Sequence, residues 1–143
     1  MNLNTNQFML YHSEVIECCQ TIEYDLKVIF AYMRKGNPSE NFAELNKTTL
    51  GSIIQRLKKL DESDGKPYFS KNDYDFLNKL TAKRNYWCHQ CYLDFVYIDN
   101  YLYSKEYSDV CSKLTDDYNQ FRNVRKNVES VRLELVNRYK RVK

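Results

Sequence analysis

The stretch Arg84-Asn85-Tyr86-Trp87-Cys88-His89-Gln90-Cys91-Tyr92 carries the residue types and spacing in this 143-residue chain that best suit chemistry. On a helix, Asn85 and His89 are four apart and Tyr92 is three further on, so the three share a face, which Ala82 and Val96 extend. Arg84 stands roughly 7.5 Å along the axis and about 140° around it from His89, so the two flank a groove rather than touch. A histidine takes or gives a proton near neutral pH. An arginine offers a planar fork matched to phosphate oxygens. Together they suit phosphoryl transfer on RNA, whose neighbouring 2′-hydroxyl is a built-in nucleophile. Acid–base cleavage wants both a base and an acid, and a two-fold dimer would place two Arg84/His89 sets in one cleft. The same spacing also serves a histidine bonded to a neighbouring helix and an arginine extended past the core. Spacing alone leaves both readings open.

The other chemically active residues point elsewhere. Cys88-His89-Gln90-Cys91 has the form of a metal-binding pair, and Cys18-Cys19 could supply the other half. Yet Cys88 and Cys91 fall on the apolar stripe of the same helix, and there is no second C-x-x-C. The cysteines are therefore read as small packing side chains, with no metal and no cofactor expected. His12 has no evident partner in the sequence and reads as a surface or interface residue. The chain has no Gly-rich phosphate loop, no H-E-x-x-H and no Gly-x-Ser-x-Gly.

The elements that must hold these residues show in the apolar spacing. Phe8, Tyr11, Val15, Cys18, Ile22, Leu26, Ile29 and Met33 step by three or four, predicting a first helix that stops at Gly36-Asn37-Pro38. A loop through Asn46-Lys47-Thr48 follows. Thr48 or Thr49 caps a shorter helix with Leu50, Ile53, Ile54, Leu57 and Leu60 as its stripe. After the loop Asp61–Pro67, Ser70 and Asp73 have capping-box spacing. The helix they open is expected to reach about Asp99, with Leu77, Leu80, Arg84, Cys88, Cys91, Phe95 and Ile98 in line. Arg84 is the one cation on that stripe. A last helix carries Leu114, Tyr118, Phe121, Val124, Val128, Val131, Leu135, Tyr139 and Val142.

Three glycines and two prolines are too few for the turns of a many-stranded sheet. The expected fold is all-α: an up-and-down bundle of four main helices forming a single domain over residues 1–143. A hydrophobic fraction of 43% with 29% charged residues argues against disorder, and no apolar run is long enough to span a membrane. The N-terminus lacks the basic start and apolar block of a signal peptide. With an odd number of cysteines, this predicts a cytoplasmic protein with reduced thiols. The net charge of +3 is unevenly spread: −2 over residues 1–50, +1 over 51–100 and +4 over 101–143. A basic last helix suits phosphates, or simply a solvated face. Thirteen tyrosines suit the rim of a helical core as well as a base-stacking surface.

The segment Leu80–His89 resembles the signature of the HEPN superfamily. That signature is an arginine, a polar residue that is often asparagine, and then a histidine after four to six intervening residues, late in a helical bundle. The long first helix, short second helix and all-helical length agree with it. The resemblance implies a metal-independent endoribonuclease of a toxin–antitoxin or antiviral-defence system, acting as a homodimer on RNA under an antitoxin or other regulatory protein. It implies that Arg84 holds the phosphate, His89 assists proton transfer and Asn85 orients His89 or the RNA. One HEPN subgroup has a modified tyrosine two residues after the histidine; here that place holds Cys91, and Tyr92 follows. Some members bring an acidic residue of the first helix to the site, and Glu23 is the candidate. The alternative is a non-catalytic HEPN-like module for RNA binding or protein interaction.

Overall fold

Asn4 starts the first helix. Its side chain accepts from the Gln7 backbone N–H while Gln7 reaches back to the Asn4 N–H, a reciprocal cap that satisfies two orphan donors. In a computed structural model, which describes residues 2–63 and 65–142 with side chains as far as Arg138, this helix (α1) spans Thr5–Met33. It is followed by α2 (Pro38–Ala43), α3 (Leu50–Glu62), α4 (Lys71–His89) and α5 (Lys105–Val142), with two 3₁₀ turns, Cys91–Asp94 and Tyr101–Tyr103, between α4 and α5. The described residues contain no strand. No helix among them is long and apolar enough to cross a membrane.

The expected stripes form the core. Phe8, Val15, Cys18, Ile22, Leu26 and Ile29 of α1 pack with Ile53, Ile54 and Leu57 of α3, Leu77 and Leu80 of α4, and Leu114, Phe121 and Val128 of α5. Tyr139 and Val142 of the last stripe lie outside the described side chains. Thr49 caps α3, and Ser70 with Asp73 closes the capping box of α4. α1 ends on Arg34 in an extended conformation rather than on a left-handed glycine, and Gly36, two residues on, takes φ +108°, a backbone that favours glycine, in the turn to α2. Between α3 and α4, buried Asp61 organises the loop, accepting from the backbone N–H of Tyr68 and Phe69 and from the Tyr74 hydroxyl.

Three features differ from expectation. Pro38, expected only to block α1, opens α2, because proline at the first helical position lacks an N–H that would be unpaired anyway. Asn41 of α2 then donates to the carbonyl of Ala31 near the end of α1.

The directions are also not up-and-down. Phe8 stacks near Tyr107, Tyr11 on Tyr118, Glu17 pairs with Arg125 and Asp25 with Arg132. Numbers that rise together on both sides make α1 and α5 parallel neighbours. α4 runs antiparallel to α5, as the pairs Asp73–Asn127, Phe76–Phe121 and Lys83–Asp117 show.

Finally, α4 ends at His89 rather than near Asp99. The Asp94 carboxylate accepts from the Tyr86 hydroxyl at 2.7 Å and from Gln90 at 2.9 Å. On a continuous helix Asp94 would lie roughly 12 Å further along the axis than Tyr86, so the bond folds the chain back. Phe95, Tyr101 and Tyr107 close around Phe8 as an aromatic cluster that holds the fold-back. Asn100, at φ 53°, makes the turn between the two 3₁₀ segments.

Candidate active site at the end of the fourth helix

Trp87 fixes the last turns of α4. Its ring is buried, and its indole Nε1–H donates to Asp117 of α5 at 2.8 Å. The same carboxylate, 4% exposed, takes the Lys83 ammonium at 2.7 Å. The Trp87 carbonyl belongs to the last turn of α4 and has no partner within the helix. It accepts from His12 Nε2 of α1 at 2.7 Å. That bond requires the tautomer or ionised form that carries the proton on Nε2. The end of α4 is thus tied to α1 and α5 together.

Trp87 faces inward, so residues about 180° from it face out. Asn85 and His89 are on that outer side, and both are exposed. Arg84 faces α1, where its Nη1 donates to the Glu23 carboxylate at 2.8 Å, both side chains being part-buried. This charge-assisted bond holds the guanidinium and leaves Nε and Nη2 to meet an anion. Arg84 therefore meets Glu23, the first-helix acidic residue named as a candidate for this site from the resemblance. Among the described residues no hydrogen bond or ion pair links Arg84 to His89.

Tyr92 does not share the helical face of Asn85 and His89, because the helix has stopped. It sits on the 3₁₀ turn with its ring against Phe8 and His12, at 5.5 and 5.2 Å, and burial pushes its hydroxyl pKa up. His12 has a partner after all, in Trp87. The sequence does not show it because the acceptor is a backbone carbonyl 75 residues away. Lys83, Trp87 and Asp117 were missed as well. Their only sequence signal was a lysine and a tryptophan four apart on one face of a helix.

The cysteines divide. Cys91 is buried as expected, but Cys88 is exposed: the buried face of the last turns of α4 is that of Leu80 and Trp87, seven apart, and Cys88 stands about 100° around from Trp87. Desolvation pushes the Cys19 thiol up to about 12 and Cys91 up to about 11. Such groups stay protonated and unreactive at ordinary pH. Among the described residues no group of three or more His, Cys, Asp or Glu is placed to hold a metal ion. An aromatic disulfide reagent at pH 8 should therefore titrate one thiol rapidly in the native protein, at Cys88, and all five only after unfolding. Fast reaction of two or more would show that the others are not packed as described. In urea unfolding, Cys91→Ala should cost on the order of 1 kcal/mol as a small cavity-forming change, and Cys88→Ala close to nothing.

Comparison of the chain with protein-family models, with curated proteins and with solved structures returned no match. The functional reading rests on the residues themselves.

Proposed function

We propose that this chain is a HEPN-like, metal-independent endoribonuclease of a toxin or antiviral-defence system, cutting RNA from a cleft formed by a cytoplasmic homodimer. The observation that carries the reading is Arg84 held by Glu23 one and a half turns before an exposed His89, on a helix end anchored to two other helices. An RNA phosphate would meet the remaining N–H groups of Arg84. His89 would take the proton of the 2′-hydroxyl as its oxygen attacks phosphorus, and Arg84 would stabilise the negative charge that builds on the phosphoryl oxygens. The His89 of a second copy would protonate the leaving 5′-oxygen, giving a 2′,3′-cyclic phosphate. Asn85, on the outer face beside His89, would orient the ring or the RNA. Tyr92 borders this face from the 3₁₀ turn, where it supports His12.

The dimer is part of the mechanism because each chain brings one histidine to the cleft. Light scattering at micromolar concentration should give twice the chain mass. Asn85→Arg, which sets like charges across a two-fold axis, should reduce the mass to that of one chain and abolish cleavage with it. A monomer that cuts RNA at full rate would refute the shared cleft.

A second reading, the non-catalytic module, draws on the acidic, tyrosine-rich surface beyond His89, which repels phosphate. Incubating purified protein with RNA in EDTA separates the two. Cutting supports the nuclease, and RNA left intact supports the module.

A further inference from the structure

The fold-back after α4 leaves an unusual surface. Within twelve residues, Leu93, Val96, Tyr97, Leu102 and Tyr103 are all exposed, Tyr97 at 84% and Tyr103 at 91%. The segment is not loosely held. Cys91 and Phe95 are buried under it, Tyr101 packs on Tyr107, and Asn2 donates to the Leu102 carbonyl. Exposed apolar side chains in that density, on a well-anchored scaffold, mark a surface that another molecule covers.

The charge around them selects the kind of molecule. Residues 92–109 hold Asp94, Asp99, Glu106 and Asp109 against the single cation Lys105, a net of −3. Beside them a cavity of about 330 Å³ is lined by Tyr86, Asp94, Glu106, Asp109, Val110 and Lys113. Its volume is at the low end of small-molecule pockets, roughly 300–1,000 Å³, and accommodates one long side chain. The wall already accepts a cation: the Lys113 ammonium lies 3.6 Å from the centre of the Tyr86 ring. Hydrogen bonds from Gln90 and then Tyr86 hold the Asp94 carboxyl below the usual carboxylate range, so it is charged at neutral pH. Lys113, and Lys105 at 3.6 Å from Asp109, offset only part of the carboxylate charge.

An RNA backbone is repelled by this charge. So is a second copy placed by a two-fold axis, which would set the same acidic patch against itself. We propose that residues 92–109 form a docking surface for a basic segment of a partner protein. Its apolar side chains would cover Tyr97 and Tyr103, and one arginine or lysine would enter the cavity between Tyr86 and the carboxylates. The surface begins three residues after His89, so a bound segment borders the outer face of α4. Docking there would regulate access to that face, whether or not the face cleaves RNA.

The test uses the full chain and three fluorescein-labelled synthetic 15-residue peptides, read by anisotropy without RNA. One alternates arginine with leucine and tryptophan, one replaces its arginines with glutamate, and one replaces its apolar residues with serine. The first should bind at least tenfold more tightly than either of the others. Glu106→Gln with Asp109→Asn, and separately Tyr97→Ser with Tyr103→Ser, should each weaken it about tenfold. The control Glu129→Gln with Glu134→Gln, on the far part of α5, should leave it unchanged. All these side chains are exposed, so circular dichroism and melting should match wild type. Equal binding of the acidic peptide, or equal affinity in the surface and control variants, would overturn the proposal. So would loss of dimer mass in Tyr97→Ser with Tyr103→Ser, which would make a second copy the occupant. RNA cleavage is not part of the readout, so failure here and failure of the nuclease reading are separate results.

Discussion

His89→Ala is expected to lower RNA cleavage by about 10²–10⁴-fold, the usual size of a lost proton-transfer group, while RNA affinity stays within a factor of two or so of wild type. The asymmetry follows from geometry. His89 is exposed on the outer face and holds nothing else in place, so its removal takes away chemistry and little structure. Arg84→Ala is expected to lower cleavage and binding together, because it removes a phosphate contact and also frees Glu23, whose carboxylate would then repel the same phosphate. Arg84→Lys should restore only part, since a point charge cannot bridge Glu23 and a phosphate as the fork can. Glu23→Gln should keep RNA binding and lower turnover, because Arg84 keeps its charge but loses the anchor that aims it. Filter binding with a non-cleavable 2′-O-methyl RNA, set beside gel-based cleavage rates, gives both quantities for every variant. Equal cleavage by His89→Ala and wild type would end the catalytic assignment of this residue.

Asp117→Ala is expected to lower stability by about 3 kcal/mol. Removing one member of a buried, hydrogen-bonded charge pair typically costs about 3–5 kcal/mol. The lower end applies because Lys83 keeps 23% of its side chain exposed and can turn to water. The Trp87 N–H cannot, being buried with its ring. Asp117→Asn keeps one carbonyl oxygen and can satisfy Trp87 or Lys83 but not both, so it should cost about 1–1.5 kcal/mol, one hydrogen bond. His12→Ala removes the imidazole donor from the Trp87 carbonyl, which keeps only the weak Cys91 thiol bond at 3.4 Å, and should cost about 1–2 kcal/mol. In urea unfolding these variants should rank Asp117→Ala, then His12→Ala, then Asp117→Asn. A loss under 1 kcal/mol for Asp117→Ala would mean that α4 is held at its end by packing alone.

The pattern of what was legible follows from how far each interaction reaches along the chain. The stripes of α1 and α3 were readable because their burial is a local consequence of helical spacing, and Ile22, Leu26, Ile53 and Leu57 are buried as that spacing requires. The caps at Thr49 and Ser70 were readable because a cap bonds within three residues. The end of α4 was not. No glycine or proline marks it, and the fold-back is driven by Asp94 bonds and an aromatic cluster that recruits Phe8 from the other end of the chain. That break explains why Tyr92 leaves the face of Asn85 and His89. The parallel run of α1 and α5 was also hidden, because stripes show which face of a helix is buried but not which way it runs. Arg84 stood out as a cation on an apolar stripe, and Glu23 resolves that anomaly by meeting it across the groove.

The central claim is cleavage by RNA's own 2′-hydroxyl at the Arg84/His89 site. It is tested most directly by product-end analysis. Purified protein is incubated in EDTA with an RNA oligonucleotide and with the same sequence carrying 2′-O-methyl groups, and the fragments are weighed by mass spectrometry. Wild type should cut only the unmodified RNA and leave a 2′,3′-cyclic phosphate or its hydrolysed 3′-phosphate with a 5′-hydroxyl partner, and His89→Ala should leave both oligonucleotides intact. Cutting of the methylated RNA, products with 5′-phosphate ends, or the same fragments at the wild-type rate from His89→Ala would contradict it.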